Sequence, residues 1–383
     1  MKKVLMYSNS GYPLGFAEAR KIELVGRSLK EIGFEIFIVN RTGIKRKNIF
    51  GIGHYKGMVY YQSCLLNTPL KNRPIKIYYK YKSILNEIFF FSKIKPNYAI
   101  LSTKNIANLM FYKLLSKCFN TKVVLIYHEF PFALSRKNIL TKANYYLFDK
   151  LFLKFIDGIL PISDFLIDYI KKKKPGISFL KIPVLVDCQT FHNMSKLPNL
   201  EKYFLFVGSA AYYEIIEFII DSFILVKNNV YKLYLITNGN TNEINRIKEK
   251  IKLCDNSNRI KLFSSLDYTE LVKYMYNSCG LLIPIRNNIR DISRFPHKLG
   301  EYLASGCPVV TTRFGEPAKY LINEYSALIA TKYENKDFAA KMYYIINNPE
   351  IAEKIGLKGK ELCFKLFNYT TYSEKLKIYL LSI

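Results

Sequence analysis

A lysine and a glutamate three residues apart, Lys298 and Glu301, carry the clearest chemical signal in the sequence. They share one face of a predicted helix with Tyr302, and this helix is expected to begin with Pro296 in its first position and to end at Gly306. The free N–H groups and the dipole of a helix N-terminus favour a diphosphate. A carboxylate one turn further along can accept two hydrogen bonds from a ribose diol. The pattern therefore predicts a site for a sugar nucleotide, with Lys298, Glu301 and Tyr302 as donor-binding residues.

Three arginines precede this helix in a predicted loop, at positions 286, 290 and 294. A guanidinium can bind a diphosphate through two parallel hydrogen bonds, which suits it better to this ligand than an ammonium group. We expect Arg294, the arginine nearest to Lys298 in the sequence, to bind the donor. The alternative is a solvated loop with three exposed arginines.

His128 and Glu129 directly follow a predicted strand over residues 122–127. In a doubly wound sheet, ligands bind beyond the carboxyl ends of the strands, and both side chains can accept or release a proton. We therefore predict His128 and Glu129 as catalytic residues. Which of them acts as a base depends on the stereochemistry of the reaction, and both remain open. A purely structural loop histidine is the alternative.

Glycines follow the first predicted strand in each half of the chain. Gly11 and Gly15 come after the first strand of the chain, and Gly208 comes just before Ser209 after a strand over 203–207. Glycine allows the backbone to approach a ligand closely, although a tight turn needs the same residue. We predict that the first loop contacts the acceptor or the donor, and that Gly208 and Ser209 contact the donor phosphates.

Short apolar runs alternate with helical patterns along the chain, which indicates parallel sheets built from βαβ units. A polar linker between residues 183 and 200 separates two Rossmann-like halves, and the last segment, 369–383, is helix-like with one apolar side. The predicted strands are 3–7, 34–39, 98–102, 122–127, 157–161, 179–184, 203–207, 232–237, 259–263, 280–284 and 308–312.

The segment around Glu301 resembles the donor-binding signature of glycosyltransferase family 4 and its relatives. The matching residues are Lys298, Glu301, Tyr302, Ala304, Gly306, Pro308, Val309 and Val310. Further segments are similar to the family in the same order along the chain. These segments are 4–39, 161–191, 203–208 and 316–330.

The resemblance implies the GT-B fold, an α/β architecture of two Rossmann-like domains that face each other across a cleft. It implies an acceptor-binding domain over residues 1–186, to which a helix over 369–383 crosses back, and a nucleotide-sugar-binding domain over 187–368. Residues 238–264 are expected to frame the base, either uridine or guanosine. The implied activity is transfer of a sugar to a saccharide acceptor. By the same analogy, the acceptor is carried on a polyprenyl diphosphate in bacterial surface-polysaccharide assembly.

The sequence departs from the family pattern where charge is expected. Ser209 stands where relatives carry a cation, and Glu214 with Ile215 replaces a Lys-Gly pair. Ser293 takes the place of the first acid of a glutamate pair whose second member is Glu301. We expect the arginines that precede Lys298 to supply the missing positive charge.

The amino-acid composition limits which partners and cofactors we expect. The formal net charge is +28, and residues 41–127 hold sixteen lysines and arginines but one acid, Glu87. The seven cysteines form no C-x-x-C pair, so we expect no metal, and no cofactor besides the nucleotide-sugar substrate. There is no apolar run of membrane-spanning length and no signal-peptide pattern, which predicts a cytoplasmic protein.

The basic stretch predicts an anionic neighbour, since such a field attracts membranes, nucleic acids and phosphorylated ligands alike. Within it, one face of a predicted helix is apolar, and the other carries Lys76, Lys80 and Glu87. The simplest interpretation is that the apolar face packs on the sheet. The alternative is contact with an anionic membrane, on the inner face of the plasma membrane. The residues of the apolar face are Ile77, Tyr81, Ile84, Leu85, Ile88 and Phe91.

One competing function remains open from the sequence. A basic non-catalytic protein, either a degenerate glycosyltransferase that serves as a scaffold or a nucleic-acid-associated protein, would carry the same charge. The spacing of Lys298 and Glu301 favours the enzyme, and we expect no nucleic-acid partner.

Overall fold

Each half of the chain builds its own sheet, because its apolar strands alternate with helices that cover them. In this computed structural model, one unit comprises Met1–Leu185 with Tyr369–Ile383, and the second comprises Val186–Asn368. The residues that the structure describes are 2–8, 11–13, 17–41, 51–64, 73–130, 138–192, 194, 201–254, 257–264 and 266–383.

Unit 1 contains a seven-stranded sheet. Its strands are β1 (Lys3–Ser8), β2 (Glu35–Asn40), β3 (Gly51–Tyr55), β4 (Met58–Gln62), β5 (Tyr98–Ser102), β6 (Lys122–Tyr127) and β7 (Gly158–Pro161). They are arranged in the order β3-β4-β2-β1-β5-β6-β7. All neighbouring strands are parallel except β3 and β4, which form an antiparallel hairpin.

The helices of unit 1 lie on the two faces of this sheet. They are α1 (Ala17–Lys30), α2 (Arg73–Ile94), α3 (Ile106–Phe119), α4 (Ile139–Leu151) and α5 (Asp164–Lys173). Helix α1 joins β1 to β2 in one direction across the sheet, whereas α2, α3 and α4 join successive strands in the opposite direction. Because such crossovers are right-handed, α2, α3 and α4 share one face and α1 lies on the other.

The prediction of a strand over 179–184 is wrong. This segment follows the edge of β7, where Leu180 N–H donates to the Ile159 carbonyl at 3.1 Å and Ile182 N–H donates to the Pro161 carbonyl at 3.0 Å. Because β7 ends at Pro161 and α5 begins at Asp164, the pattern does not continue, and the segment stays an extended edge without a regular strand.

Helix α2 packs on the sheet through a face other than the predicted one. The buried stripe consists of Ser83, Glu87, Phe90, Phe91 and Ile94. Of the apolar face expected from the sequence, Phe91 is buried, but Ile77, Tyr81, Leu85 and Ile88 are exposed. Glu87 lies on the packing face because Arg41 pairs with it there, with Nη2 and Oε2 2.6 Å apart. The side chain of Lys76 lies outside the described residues.

Unit 2 contains a six-stranded parallel sheet with the order β10-β9-β8-β11-β12-β13. Its strands are β8 (Tyr203–Ser209), β9 (Lys232–Asn238), β10 (Ile260–Phe263), β11 (Gly280–Ile283), β12 (Val309–Thr312) and β13 (Leu328–Ala330). Its helices are α6 (Tyr213–Ile224), α7 (Thr241–Lys252), α8 (Tyr268–Tyr276), α9 (Ile289–Ile292), α10 (His297–Ser305), α11 (Asn335–Asn347) and α12 (Pro349–Leu366).

The last helix, α13 (Ser373–Ser382), returns to unit 1 and packs on α1. Its Leu376, Tyr379 and Leu380 are buried in the same core as residues of α1. The Tyr379 hydroxyl accepts a hydrogen bond from the Ile159 N–H at 2.8 Å, which ties the helix to β7. Among the described residues, no helix has the combination of length and apolarity that a membrane span requires.

Candidate active site

Helix α10 places Lys298 and Glu301 on one face, as the sequence predicted. Pro296 is the N-cap and not the first helical residue: its ψ of 122° is extended, and no side chain caps the helix. Gly306 ends the helix with a φ of +79°, a conformation that glycine adopts readily. The first turn therefore presents backbone N–H groups beside the Lys298 ammonium.

Glu301 is nearly buried and held by two partners. Its Oε2 accepts a hydrogen bond from the Lys298 Nζ at 2.7 Å, and its Oε1 accepts one from the Tyr268 hydroxyl at 3.1 Å. Its side chain is 12% exposed and that of Lys298 is 29% exposed. An exposed surface pair would leave both side chains in water, whereas the Glu301 carboxylate is largely removed from it.

Tyr302 does not face a ligand space. It is completely buried, and its hydroxyl accepts a hydrogen bond from the Val207 N–H at 2.7 Å. Burial raises the pKa of Tyr302 well above its usual value, so this hydroxyl stays neutral. The prediction that Tyr302 binds the donor directly therefore conflicts with its burial. Tyr302 instead fixes α10 against the end of β8, just before Gly208.

Two of the three arginines flank one aromatic ring in the loop after β8. The Arg294 Nη1 donates to the Tyr212 hydroxyl at 2.6 Å, and the Arg290 guanidinium lies 4.9 Å from the Tyr212 ring centroid. Arg286 is engaged elsewhere, because it forms ion pairs with Asp291 and Glu214. Of the three arginines, Arg290 and Arg294 thus lie beside the loop that follows β8.

The loop after β8 is tightly built around Gly208 and Ser209. A Cβ at position 208 would stand 2.6 Å from the Phe206 ring, so a larger residue would displace that ring. The Ser209 Oγ accepts a hydrogen bond from the Ala211 N–H at 3.3 Å and caps the following turn. This turn brings Tyr212 into contact with Arg294. The contact joins the loop after β8 to the loop that carries the three arginines, the arginine loop.

Ser293 replaces the expected acid with a buried residue. It is completely buried, and its Oγ donates to the Arg290 carbonyl at 3.4 Å. The carboxylate nearest in sequence, Asp291, is bound to the Arg286 Nε at 2.6 Å. Neither residue supplies the free acid of the family pattern.

A small pocket of about 230 Å³ lies in the predicted base-binding region of unit 2. It opens after β9 and β10, at the carboxyl edge of the sheet where the loop after β8 also lies. The lining residues are Asn238, Gly239, Thr241, Ile244, Asn245, Lys248 and Ser264.

Unit 1 carries a larger open pocket of about 440 Å³, and His128 lines it. The pocket lies at the carboxyl ends of β5 and β6, where the sequence placed this histidine. Most of the residues that line it are polar in type, with Glu18 and Lys104 as the charged members. The other residues that line it include Thr103, Asn105, Asn108, Thr141 and Asn144.

Glu129, the second catalytic candidate, forms an ion pair with Lys104. Asn144 fixes the backbone of this corner, because its Nδ2 donates to the Lys104 carbonyl at 2.8 Å. As a base, the Glu129 carboxylate would have to give up part of its interaction with the lysine. His128 and Glu129 thus both stay candidates, with different electrostatic surroundings.

Gly11 stands in a loop that hydrogen bonds from β2 and β4 hold in place. Its φ of +74° favours glycine. The following carbonyl, that of Tyr12, accepts hydrogen bonds from Asn40 Nδ2 at 2.9 Å and Gln62 Nε2 at 2.7 Å. The prediction for Gly15 lies outside the described residues.

The described part of the chain holds no cluster of three or more histidine, cysteine or acidic residues that could bind a metal ion. All seven cysteines are free thiols. The positive groups around α10 are lysine and arginine side chains.

Sequence reasoning missed Tyr212, Tyr268 and Glu18. Tyr212 lies three residues after Ser209, so an aromatic residue in a glycine loop was the available signal. Tyr268 reaches Glu301 from the start of α8, which no local pattern indicates. Glu18 was detectable as an acid in the first turn after the loop that follows β1.

Residues 188–362 match the family described as Glycosyl transferases group 1. This stretch falls within unit 2 and contains α10 with Lys298 and Glu301. The matched stretch makes up most of unit 2 and less than half of the chain, and the two α/β units with parallel sheets have the fold of the GT-B glycosyltransferases. The narrower assignment to family 4 stays a prediction.

Individual relatives agree with this assignment. An uncharacterized glycosyltransferase of Methanocaldococcus jannaschii is 27% identical over 161 residues, which cover 42% of this chain and 43% of the relative. The match thus spans less than half of the relative's length. The sucrose-phosphate synthase of Thermosynechococcus elongatus has a similar fold, with a TM-score of 0.83 at 16% identity over 100% of this chain and 99% of that one.

A second similar structure was solved with ligands. The Anabaena protein HepE, in complex with UDP and glucose, has a TM-score of 0.72 at 13% identity, and the match covers 100% of both chains. At these identities, the similarity to solved structures concerns the fold.

Proposed function

We propose that this protein transfers a sugar from a nucleoside diphosphate sugar to a saccharide acceptor. The Lys298–Glu301 pair is the observation that carries the proposal, because it joins a cation and a nearly buried carboxylate at the first turn of α10. The ammonium and the dipole of the helix N-terminus suit the diphosphate, and the carboxylate suits the ribose diol. The complex of HepE with UDP and glucose supports the same class of donor.

The reaction needs positive charge where the nucleoside diphosphate leaves. The bond between C1 of the sugar and the diphosphate oxygen breaks, the acceptor oxygen binds C1, and its proton passes to a base. Lys298 and Arg294 would neutralise the leaving group, and His128 or Glu129 would take the proton. Because these cations belong to the protein, we propose a reaction without a metal or another cofactor.

A ligand screen tests this function. We expect one nucleoside diphosphate among UDP, GDP and ADP to stabilise the protein by about 2.7 kcal/mol at a hundred times its dissociation constant. The same shift is expected in the presence of EDTA. The measurement is thermal unfolding, followed by detection of nucleoside diphosphate released from the matching sugar nucleotide. The absence of both signals would favour the non-catalytic scaffold.

We further propose that the acceptor is lipid-linked and that the protein works at the inner face of the plasma membrane, in bacterial surface-polysaccharide assembly. The support is an exposed apolar surface on α2, α3 and α4, which share one face of the sheet. Tyr81 is 68% exposed, Phe89 is 70% exposed and Ile139 is 81% exposed. Exposed apolar residues on adjacent helices are typical of a membrane or protein contact. The others on this surface include Ile77, Tyr78, Leu85, Leu114, Leu140 and Leu147.

The charge of this surface favours an anionic membrane as its partner. The exposed lysines of the three helices include Lys80, Lys82, Lys117, Lys142 and Lys150. The acids of these helices do not offset them: Glu87 is buried against Arg41, and Asp149 pairs with Lys173. Apolar side chains interspersed with lysines are the composition of an interfacial surface.

Replacing Lys80, Lys82 and Lys142 with glutamine should weaken binding to vesicles that contain phosphatidylglycerol. Each lysine near an anionic surface contributes about 1 kcal/mol, so the loss should reach roughly a hundredfold at low salt. Co-sedimentation measures the change. Nucleoside diphosphate binding should persist in this variant, because that site lies in unit 2.

The matched control replaces Lys252, Lys336 and Lys354, three exposed lysines of unit 2, with glutamine. Its net charge is the same, so equal losses in both variants would indicate a general charge effect. Failure of the wild-type protein to sediment even at low salt would remove the membrane proposal. Self-association through the same surface would then explain its apolar residues.

A further inference from the structure

Glu18 lies in the first turn of α1 and lines the polar pocket of unit 1 together with His128. Its Oε1 accepts hydrogen bonds from the Ser102 Oγ at 2.8 Å and from the Ser8 Oγ at 3.4 Å. These serines are the last residues of β5 and β1, two neighbouring strands. The carboxylate is therefore fixed at the carboxyl edge of the sheet, where ligands of such folds bind.

Glu18 differs from Glu129, the other carboxylate of this region. Glu129 is paired with Lys104, which neutralises it. The hydrogen bonds to Glu18 come from neutral hydroxyls, which orient a carboxylate but leave its negative charge available to a further donor. A neutral ligand with hydroxyl groups matches this arrangement, because each hydroxyl can donate to the charged oxygen.

Lys21 gives an independent indication that this corner is built around a charge. It lies one helical turn from Glu18, is 2% exposed, and its Nζ has no hydrogen-bond partner among the described residues. Burial lowers the pKa of Lys21 to about 7, and the negative charge of Glu18 opposes this shift. A buried amine without a partner is costly. When Lys21 is protonated, the negative charge of Glu18 one turn away stabilises it.

We propose that Glu18 binds a hydroxyl group of the saccharide acceptor in this pocket. The assignment rests on the proposed function, which supplies the acceptor class. Thr141 offers a further polar contact, and Leu140 at the rim is 78% exposed. A sugar with an alkyl chain would therefore find polar partners inside and an apolar contact at the entrance.

Octyl glycosides with different sugar heads are suitable probes, because they combine a saccharide with a short alkyl chain. We expect at least one to bind the wild-type protein, and Glu18→Gln to weaken it about tenfold or more. The amide keeps an acceptor oxygen for Ser102, so the fold is expected to persist. Saturation-transfer NMR titration measures the affinity. Ser102→Ala should give a smaller loss, since it removes only an orienting hydroxyl.

Glu374→Gln is the matched control, because Glu374 is an exposed glutamate of unit 1 on α13. Binding of UDP or GDP should be unchanged in all three variants. Equal affinity of Glu18→Gln and the wild-type protein overturns the proposal, and so does the absence of binding by any octyl glycoside. Glycoside binding that depends on Glu18, in a protein that binds no nucleoside diphosphate, would instead contradict only the proposed function.

Discussion

Alanine at position 298 or at position 301 is expected to weaken the binding of UDP or GDP, whichever the protein binds, by roughly 10- to 100-fold. A charge-assisted hydrogen bond contributes about 1.5–3 kcal/mol, and about 1.4 kcal/mol corresponds to a factor of ten. Lys298→Ala should have the larger effect, because it leaves the Glu301 carboxylate unpaired near the diphosphate. Isothermal titration calorimetry measures both affinities.

A second pair in the same unit provides the control. Lys358 and Glu361 on α12 are also three residues apart and lie 2.8 Å from each other, but both are largely exposed. Alanine at either position should leave the affinity within about twofold, since exposed pairs contribute little. Wild-type affinity in both Lys298→Ala and Glu301→Ala would show that α10 does not bind the donor.

The same titration compares the contributions of Arg294 and Arg290 to the affinity. Arg294→Ala should lower the affinity for the nucleoside diphosphate, because it removes the guanidinium that the Tyr212 hydroxyl holds in place. Arg290→Ala should have a smaller effect. If neither substitution changes the affinity, the departures at Ser209 and Ser293 have no replacement in the arginine loop.

Most of the buried parallel strands could be predicted from the sequence because they are apolar on both faces, but the parallel strands β4 and β13 were missed. β3 was missed, since its residues alternate between partly buried and exposed and its strand lies at the edge. The available signal was Gly57: the tight turn between β3 and β4 has positive φ at Lys56 and Gly57, a conformation that favours glycine. The opposite error was made at 179–184. This apolar run was predicted as a strand, but it only follows the edge of β7.

The register of α2 could not be read from the helix alone. A helical wheel places a charged residue on the solvent side, and Glu87 is charged. Its partner Arg41 lies 46 residues earlier, at the end of β2, so the pairing depends on the tertiary fold. The same reason separates the site residues that were found from those that were missed. Lys298 and Glu301 share one helix, whereas Tyr268 reaches Glu301 from another.

Arg41→Ala is expected to destabilise unit 1 by about 3–5 kcal/mol, because it leaves a buried carboxylate without its cation. Arg41 binds Glu87 through two parallel hydrogen bonds, Nε to Oε1 at 2.8 Å and Nη2 to Oε2 at 2.6 Å. The Glu87 side chain is 1% exposed, and its remaining partners, Ser63 and Tyr112, are neutral hydroxyls. Urea unfolding, combined with hydrogen exchange of the α2 backbone, measures the loss and locates it.

The double variant Arg41→Met with Glu87→Leu separates two contributions to the loss of stability. One is the unpaired charge of Glu87, and the other is the lost packing of the Arg41 side chain. Apolar residues of similar volume often replace a buried ion pair with little change in stability, so this variant should be markedly more stable than Arg41→Ala. Equal destabilisation by both would mean that packing of the Arg41 side chain, and not the isolated charge, maintains this corner.

The outcome also bears on the surface of unit 1. If Glu87 is committed to Arg41, it cannot neutralise the lysines of α2, α3 and α4, and their field remains available to an anionic membrane.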